Sequence, residues 1–446
     1  MNLETDRIPK LLLNFSIPAM IAMLVNATYN TVDRIFVSKG VGDTAFSGLA
    51  FTAPLSLVVL ALIMLIAVGS TSMLSLRLGE KNMEEAEKVL TNCFVLLLIV
   101  SVLVTLIGNV FLKPILLLLG SEPETLQYSE RYMRIIFGGC TFQIMGLGMS
   151  HMMRASGKPR LFMIAQLIGA VLNIILDYIF IFIWHKGIKG AAVATVIAQA
   201  AGMLWTFFHF FRKNSLIKIR REYFKLSKNV VTNILGIGAA PFFTQISASV
   251  TQVVAYKALV NYSGDMAVAA MGAVTSLSLL VLMLIYGLNQ GAQPIIGYNY
   301  GAQNYKRVKD TLKYSSVAAT SICVIGLLAV QIYTRPLISL FANGEELFGL
   351  AMPALKIYLF AFPCIGFQLV VITFYQSVNK AKSALVLSML RQFILLIPLY
   401  LILPLFFGLN GVWLSAPVAD VLTFVITAAM LAHDVNKTSL LSPIQP

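Results

Sequence analysis

Charged side chains are scarce in this chain. Asp, Glu, Lys and Arg make up only 12% of its 446 residues, about half of what a soluble protein of that length carries. A water-facing surface of ordinary extent is therefore excluded. There are four histidines and four cysteines. His151, His185, His209 and His433 share no ligand spacing. Cys93, Cys140, Cys323 and Cys364 fall within apolar stretches and show no metal spacing, so they are expected as small buried side chains. No Walker motif, Ser–His–Asp pattern or metal box occurs, which argues against an ATP-driven pump and a membrane hydrolase, and no cofactor is expected. Acidic residues are the scarcer sign, 19 against 33 basic ones, for a net charge of +14.

What fills the chain instead is apolar sequence. It is 58% hydrophobic, with mean hydropathy +0.83. Apolar runs of about 20 residues recur throughout, each long enough to cross a bilayer core of roughly 30 Å as a helix. Backbone polar groups in lipid must be satisfied internally, and the alternation of barrel strands is missing. The expected fold is an all-α polytopic membrane protein with twelve transmembrane helices. They lie at about residues 11–37, 45–76, 88–110, 126–152, 160–184, 188–211, 230–261, 266–297, 311–333, 351–376, 383–407 and 410–433. The opening MNLETDRIPK is too acidic for the basic region of a signal peptide, so no cleaved signal is expected.

The connections alternate in charge. Arg77, Lys81 and Lys88, then Arg154, Lys158 and Arg160, then the run from Arg212 to Lys228, then Lys306, Arg307, Lys309 and Lys313 all fall on one side; the other side has only Lys39, Lys113, Lys186, Lys189 and Arg335. Under the positive-inside rule this places both termini in the cytoplasm and the protein in the cell membrane, and it accounts for the net charge without a nucleic-acid partner. The run 212–228 reads as an orientation signal and linker.

That linker divides two halves that repeat. Gly69 and Gly79 are matched by Gly291 and Gly301, Gly42-Asp43 by Gly264-Asp265, Pro18 by Pro241, and GIKGAAVATVIAQ (187–199) by GLNGVWLSAPVAD (408–420). With six helices each, both halves enter the membrane in the same orientation, giving two parallel six-helix repeats. The expected lobes are residues 1–220 and 221–446. Two like bundles about a cleft suit a transporter that alternates its opening.

Polar residues inside the apolar runs of the first half converge in depth. Asn26, Asn30 and Asp33 share one face of the first helix, and Asp33 lies six residues before Lys39, about 9 Å from the helix end. Gln166, Asn173 and Asp177 share a face of the fifth, and Thr195 on the sixth reaches a similar depth. Ionisable groups at such positions are costly and mark functional sites. Two carboxylates, an amide and a hydroxyl are hard oxygen ligands suited to sodium, and two close carboxylates in a low dielectric also suit a proton carrier. The competing reading is local pairing, Asp33 with Arg34 and Asp177 with a neighbouring helix. The repeat serves as a control: the equivalents of Asp33 and Thr195 are Tyr256 and Ala416, so the scaffold is duplicated and the acids are not. Asp420 is the second half's one acid inside a predicted helix and is read as a local partner for polar neighbours; Arg391 is read as an interface anchor. Polar faces with Asn26, Tyr29 and Asn30, and in the second half with Gln245, Tyr256, Asn289 and Gln293, are candidates for lining the cleft, with inter-helix hydrogen bonding as the alternative.

IPKLLLNFSIPAM (8–20), VDRIFVSKGVGDTAFSGLAF (32–51), RASGKPR (154–160), LNIILDYIF (172–180) and GIKGAAVAT (187–195) together resemble the MATE (multidrug and toxic compound extrusion) family, in the style of its prokaryotic DinF-like and MepA-like branch. The resemblance implies export of organic cations and amphipathic compounds by antiport against protons or sodium. It implies a cation site at Asp33, Asn173, Asp177 and Thr195 with the Ala191 carbonyl as a further ligand, and a bend of the first helix at Pro18. The acids of the sodium-coupled NorM-like branch have no match in the second half. Small amphipathic or cationic substrates and membrane lipid are the expected partners, with no obligate protein partner. The alternative function is a flippase for a lipid-linked saccharide or similar amphiphile, which calls for a cationic cleft.

Overall fold

A computed structural model describes residues 3–212, 216–339 and 345–437; Lys213 of the basic run lies outside the described residues. Among the described residues every regular element is helical. Helices α1 (Ile8–Val41), α2 (Asp43–Gly79) and α3 (Met83–Leu118) come first. Helix α4 follows in two stretches, Pro123–Gly138 and Cys140–Ala155, then α5 (Pro159–Ile183) and α6 (Gly187–Phe211). In the second half come α7 (Lys228–Tyr262), α8 (Met266–Gly301) and α9 (Tyr305–Ile332). Helix α10 has two stretches, Glu345–Tyr358 and Phe362–Ser377, bent by 49°; α11 (Ala381–Phe407) and α12 (Leu409–Lys437) end the chain. Among the described residues ten helices are long and apolar enough to span a membrane, eleven with the bent α10. The remaining expected span, α4, breaks at Gly139 and carries Glu130, Arg131 and Arg134 in its first stretch.

The repeat is written into the turn backbone. Left-handed conformations recur in pairs: Gly42 with Gly264, Lys81 with Gln303, Gly157 with Asn379, and Gly187 with Gly408. The residue after the second pair caps the next helix in both halves. Asn82 accepts a hydrogen bond from the Glu85 amide at 3.1 Å, and Asn304 from the Arg307 amide at 3.4 Å. Each cap satisfies one of the four backbone donors that a helix start leaves free.

The chain packs as two compact units whose boundaries are not those of the repeat. One comprises Ile21–Phe242, the other Met1–Met20 together with Phe243–Pro446. Relative to the expected lobes 1–220 and 221–446, the start of α1 and the start of α7 are exchanged. Glycines explain how each exchanged segment is held. In the first unit, a Cβ on Gly69 would stand 2.0 Å from the Ile234 carbonyl oxygen, and one on Gly238 would stand 1.7 Å from that of Leu65, so α2 and α7 touch backbone to backbone. In the second unit, a Cβ on Gly287 would meet the Met20 backbone at 2.6 Å, and one on Gly291 the Ser16 amide nitrogen at 2.6 Å. The chain ahead of α1 is clamped there too. Arg307 donates to the Leu3 and Asp6 carbonyls at 3.0 and 2.6 Å, and Asn299 donates to Leu3 at 3.2 Å.

The described part of the basic run is more than a linker. In the first unit it lies along α3, where the buried Asn92 donates to the Tyr223 carbonyl at 3.0 Å and accepts from the Ser227 amide at 2.9 Å. Glu87 accepts from the Lys218 amide at 3.1 Å and from Arg220 at 2.8 Å. Asn92→Ala leaves a backbone donor and a backbone acceptor without partners, at a cost of about 1–3 kcal/mol. A lowered apparent Tm of the purified protein is the expected result; an unchanged one means that the strap does not depend on Asn92.

Candidate functional site

In the half of α1 toward Lys39, side chains bond back to the helix's own backbone. Thr28, Asn30 and Thr31 return hydrogen bonds to the Leu24, Asn26 and Ala27 carbonyls at 2.9, 2.7 and 3.0 Å. Such back-bonding competes with the helix ladder and favours bending. Asp33 follows on this stretch. Helix α5 is regular as far as Tyr178 and then takes one wide turn over Ile179–Ile183; turns of this kind recur at functional sites. Asp177 lies just before the wide turn. The chain then reverses through His185 and Gly187, at φ 49° and 58°, into α6 with Ala191 and Thr195.

All of these residues belong to the first unit, and the fold brings them together. Asp33 and Asp177 face one another within hydrogen-bonding reach, and Asn173 lies within reach of Asp177. The Asn173 amide donates to Thr195 Oγ1 at 3.3 Å, and Thr195 donates to the Ala191 carbonyl at 3.1 Å. Asp177 is wholly buried, Asn173 is 2% exposed and Asp33 is half-buried. Asp33 Oδ1, both carboxylate oxygens of Asp177 and Asn173 Oδ1 are buried without a hydrogen-bond donor. Leaving such groups unpaired is expensive. These four acceptor oxygens, which no hydrogen bond satisfies, fit a small hard cation or a shared proton, since either supplies the missing positive partner. No group of three or more His, Cys, Asp or Glu is placed to hold a metal among the described residues, so the set draws on amide, hydroxyl and carbonyl oxygens as well as carboxylates.

Tyr132 on α4, not singled out by the sequence, lies within reach of Thr195 and near both carboxylates. Toward Lys39 the site is closed by apolar packing. Phe36 meets Tyr178 and Phe182 at 6.4 and 5.4 Å between ring centres. Val37, Ala45, Leu49, Ile181, Ile188 and Ala191 form a buried cluster.

The candidate cleft residues fall into two groups in different units. In the first, Asn26 donates to Gln166 at 3.3 Å and Gln166 donates to Ser150 at 3.2 Å, while Tyr29 stands near both carboxylates and Asn30 is exposed. In the second, Asn289 and Gln293 are 6% and 3% exposed, Asn289 Oδ1 has no donor, Gln252 donates to Tyr256 at 2.8 Å, and Gln245 is half-buried. Pro18 sits inside an uninterrupted α1. Arg391 is no interface anchor: it donates to Asp420 Oδ1 at 2.5 Å, and Asp420 is 1% exposed. Counting from the helix end put Arg391 in the right span, but the sequence held no sign of its partner's azimuth.

Comparison with known proteins gives a consistent picture. The MatE family profile matches residues 18–179 and 241–402, one match in each repeat. The multidrug export protein MepA of Staphylococcus haemolyticus (strain JCSC1435) is 28% identical over 443 residues, covering 98% of this chain and 97% of that protein. MepA of Staphylococcus aureus (strain bovine RF122 / ET3-1) is 27% identical over 96% of this chain and 94% of its own length. Among solved structures, the outward-facing conformation of a multidrug resistance MATE family transporter of the MOP superfamily superposes with a TM-score of 0.92 at 22% identity, covering 98% of both chains; at that identity it speaks for the fold.

Proposed function

Because the chain belongs to the MatE family, whose members are transporters rather than enzymes, we propose that it is a secondary active exporter of amphipathic or cationic organic compounds in the cell membrane. Its two termini are cytoplasmic, and the driving ion, a proton or sodium, binds at Asp33 and Asp177. The observation that carries this reading is the set of buried, donor-free oxygens on Asp33, Asp177 and Asn173, held in one unit by two helices, α1 and α5. Cation entry neutralises the facing carboxylates and draws the back-bonded stretch of α1 onto α5. Asn26, Tyr29 and Asn30 lie on the same helix, so this movement changes what they offer a substrate. The two ligands then favour different states of α1, which is the condition for coupling. A flippase for a lipid-linked saccharide would need free cationic groups to hold a pyrophosphate. The polar set at this site is acidic, the half-buried Arg391 is paired with Asp420, and the wholly buried Arg154 is bonded to His151.

Purified protein in liposomes loaded with a cationic dye is expected to expel the dye when a proton gradient or, separately, a sodium gradient is imposed, and the gradient that works identifies the ion. Dye movement indifferent to both gradients sinks the proposal.

A further inference from the structure

The second unit has a buried acid of its own, and it is already paired with a cation. Arg391 and Asp420 lie ten and eleven residues from the starts of α11 and α12, hence about 15–17 Å along helices of membrane-spanning length, near mid-span. The surroundings repeat the irregularities of the Asp33 site in the first unit. Arg391 stands in a wide turn, Leu390–Leu396, as Asp177 adjoins one. Helix α10 is broken after Tyr358, as α4 is broken at Gly139. Tyr358 reaches toward the pair as Tyr132 reaches toward Thr195. Broken helices at mid-depth are where transporters build ion sites, because the interrupted backbone and its partners face inward there. Gln368, beyond the break, donates to the Asp420 carbonyl at 2.5 Å, and Thr251 of α7 donates to the Gln392 carbonyl in the wide turn at 3.2 Å. Asp420 Oδ1 takes the guanidinium; Asp420 Oδ2 is buried with no donor.

We infer that Arg391 is a tethered cation which fills the acidic site of the second unit and keeps it from taking a mobile one. The guanidinium cannot lose its charge under ordinary conditions. It therefore stands permanently where a proton or sodium would come and go, and a transport cycle carries cations through the Asp33–Asp177 site alone. This goes beyond the proposed function in assigning the number of cation sites. Only the efflux arm of the test below depends on that function; the melting arm reads Asp420 directly.

The charge-free pair R391M/D420N is expected to fold, since replacing a buried ion pair by apolar or neutral groups of similar volume is often neutral or stabilising. It should keep gradient-driven efflux within about twofold of the parent, with an unchanged number of cations per substrate. R391M alone uncovers Asp420. In a D33N/D177N background, which removes the first site, R391M should make the apparent Tm respond to sodium or to pH, and further addition of D420N should abolish that response. The other titratable groups near Asp420 are Tyr358 and Tyr400 with the thiols of Cys323 and Cys364, and Tyr286 stands near Arg391; a response that persists in D420N belongs to them and overturns the inference. It is overturned equally if R391M brings no new cation response, or if folded R391M/D420N loses gradient coupling. Should R391M not fold, the double variant decides alone.

Discussion

Asp177→Asn is expected to give a protein that folds as well as the parent, or better, and no longer couples. Both oxygens of the Asp177 carboxylate are buried without a donor, beside Asp33. Holding two such groups together costs the folded protein stability, and the amide substitution removes one negative charge while keeping the shape. The apparent Tm should therefore stay level or rise, in the pattern of active sites that trade stability for function. Coupling should collapse, because a neutral amide gives a cation no charge to compensate, and without differential cation binding the gradient cannot bias the cycle. Coupling free energies of 1–3 kcal/mol correspond to about 5–150-fold. Gradient-driven efflux is expected to fall by about a hundredfold, to the level of empty liposomes. Asp33→Asn should match it in efflux but gain less stability, since Asp33 is only half-buried. Dye-loaded liposomes and a melting curve on the same preparations suffice. Full efflux in either variant removes the carboxylates from coupling; loss of efflux together with a collapsed melting curve leaves them a structural role only.

The second large effect is expected at Gly238. Its added Cβ would lie 1.7 Å from the Leu65 carbonyl oxygen and 2.5 Å from the carbonyl carbon. Backbone cannot swing aside as the end of a side chain can. Gly238→Ala must push α2 and α7 apart within their unit, with a cost at or above the usual 1–3 kcal/mol of an overpacked core, about 3 kcal/mol or more. Marginal stability makes that enough to unfold much of the protein. Gly272→Ala is the control: its Cβ meets nothing within 4 Å, and it lies inside α8. Alanine there should be harmless or stabilising by up to about 1 kcal/mol, the intrinsic helix preference. Yield and apparent Tm of the two variants should diverge; equal behaviour would mean that α2 and α7 do not meet at Gly238.

Much of the fold was legible because the bilayer imposes simple rules. Span length, the absence of barrel alternation and the repeated Gly-Asp and Gly-Gly spacings required only residue counting. The convergence of Asp33, Asn173, Asp177 and Thr195 was legible for the same reason: each could be measured from a nearby helix end. Tyr132 was not. It lies on α4 among Glu130, Arg131 and Arg134, a stretch that reads as interface, and the break at Gly139 spoils depth counting along that helix. The Arg391–Asp420 pair escaped for another reason. The wide turn across Leu390–Leu396 shifts the face on which Arg391 emerges, and no periodicity reveals such a turn. The exchange of α1 and α7 starts between units was hidden because a glycine announces a close approach without naming its partner.

That exchange has a bearing on how the protein is made. The residues before α1 are clamped by Asn299 and Arg307, separated from Leu3 by 296 and 304 positions in sequence. At ribosomal speeds of about 5–20 residues per second, the first helix leaves the ribosome roughly 15–60 seconds before these partners exist. It must be inserted and kept waiting while seven further helices, α2 to α8, are synthesised. Neither half of the chain, released by itself, contains the contacts that complete a unit. Splitting the gene between α6 and α7 would thus yield two fragments that each lack a helix end the other holds, and assembly would depend on their meeting in the membrane.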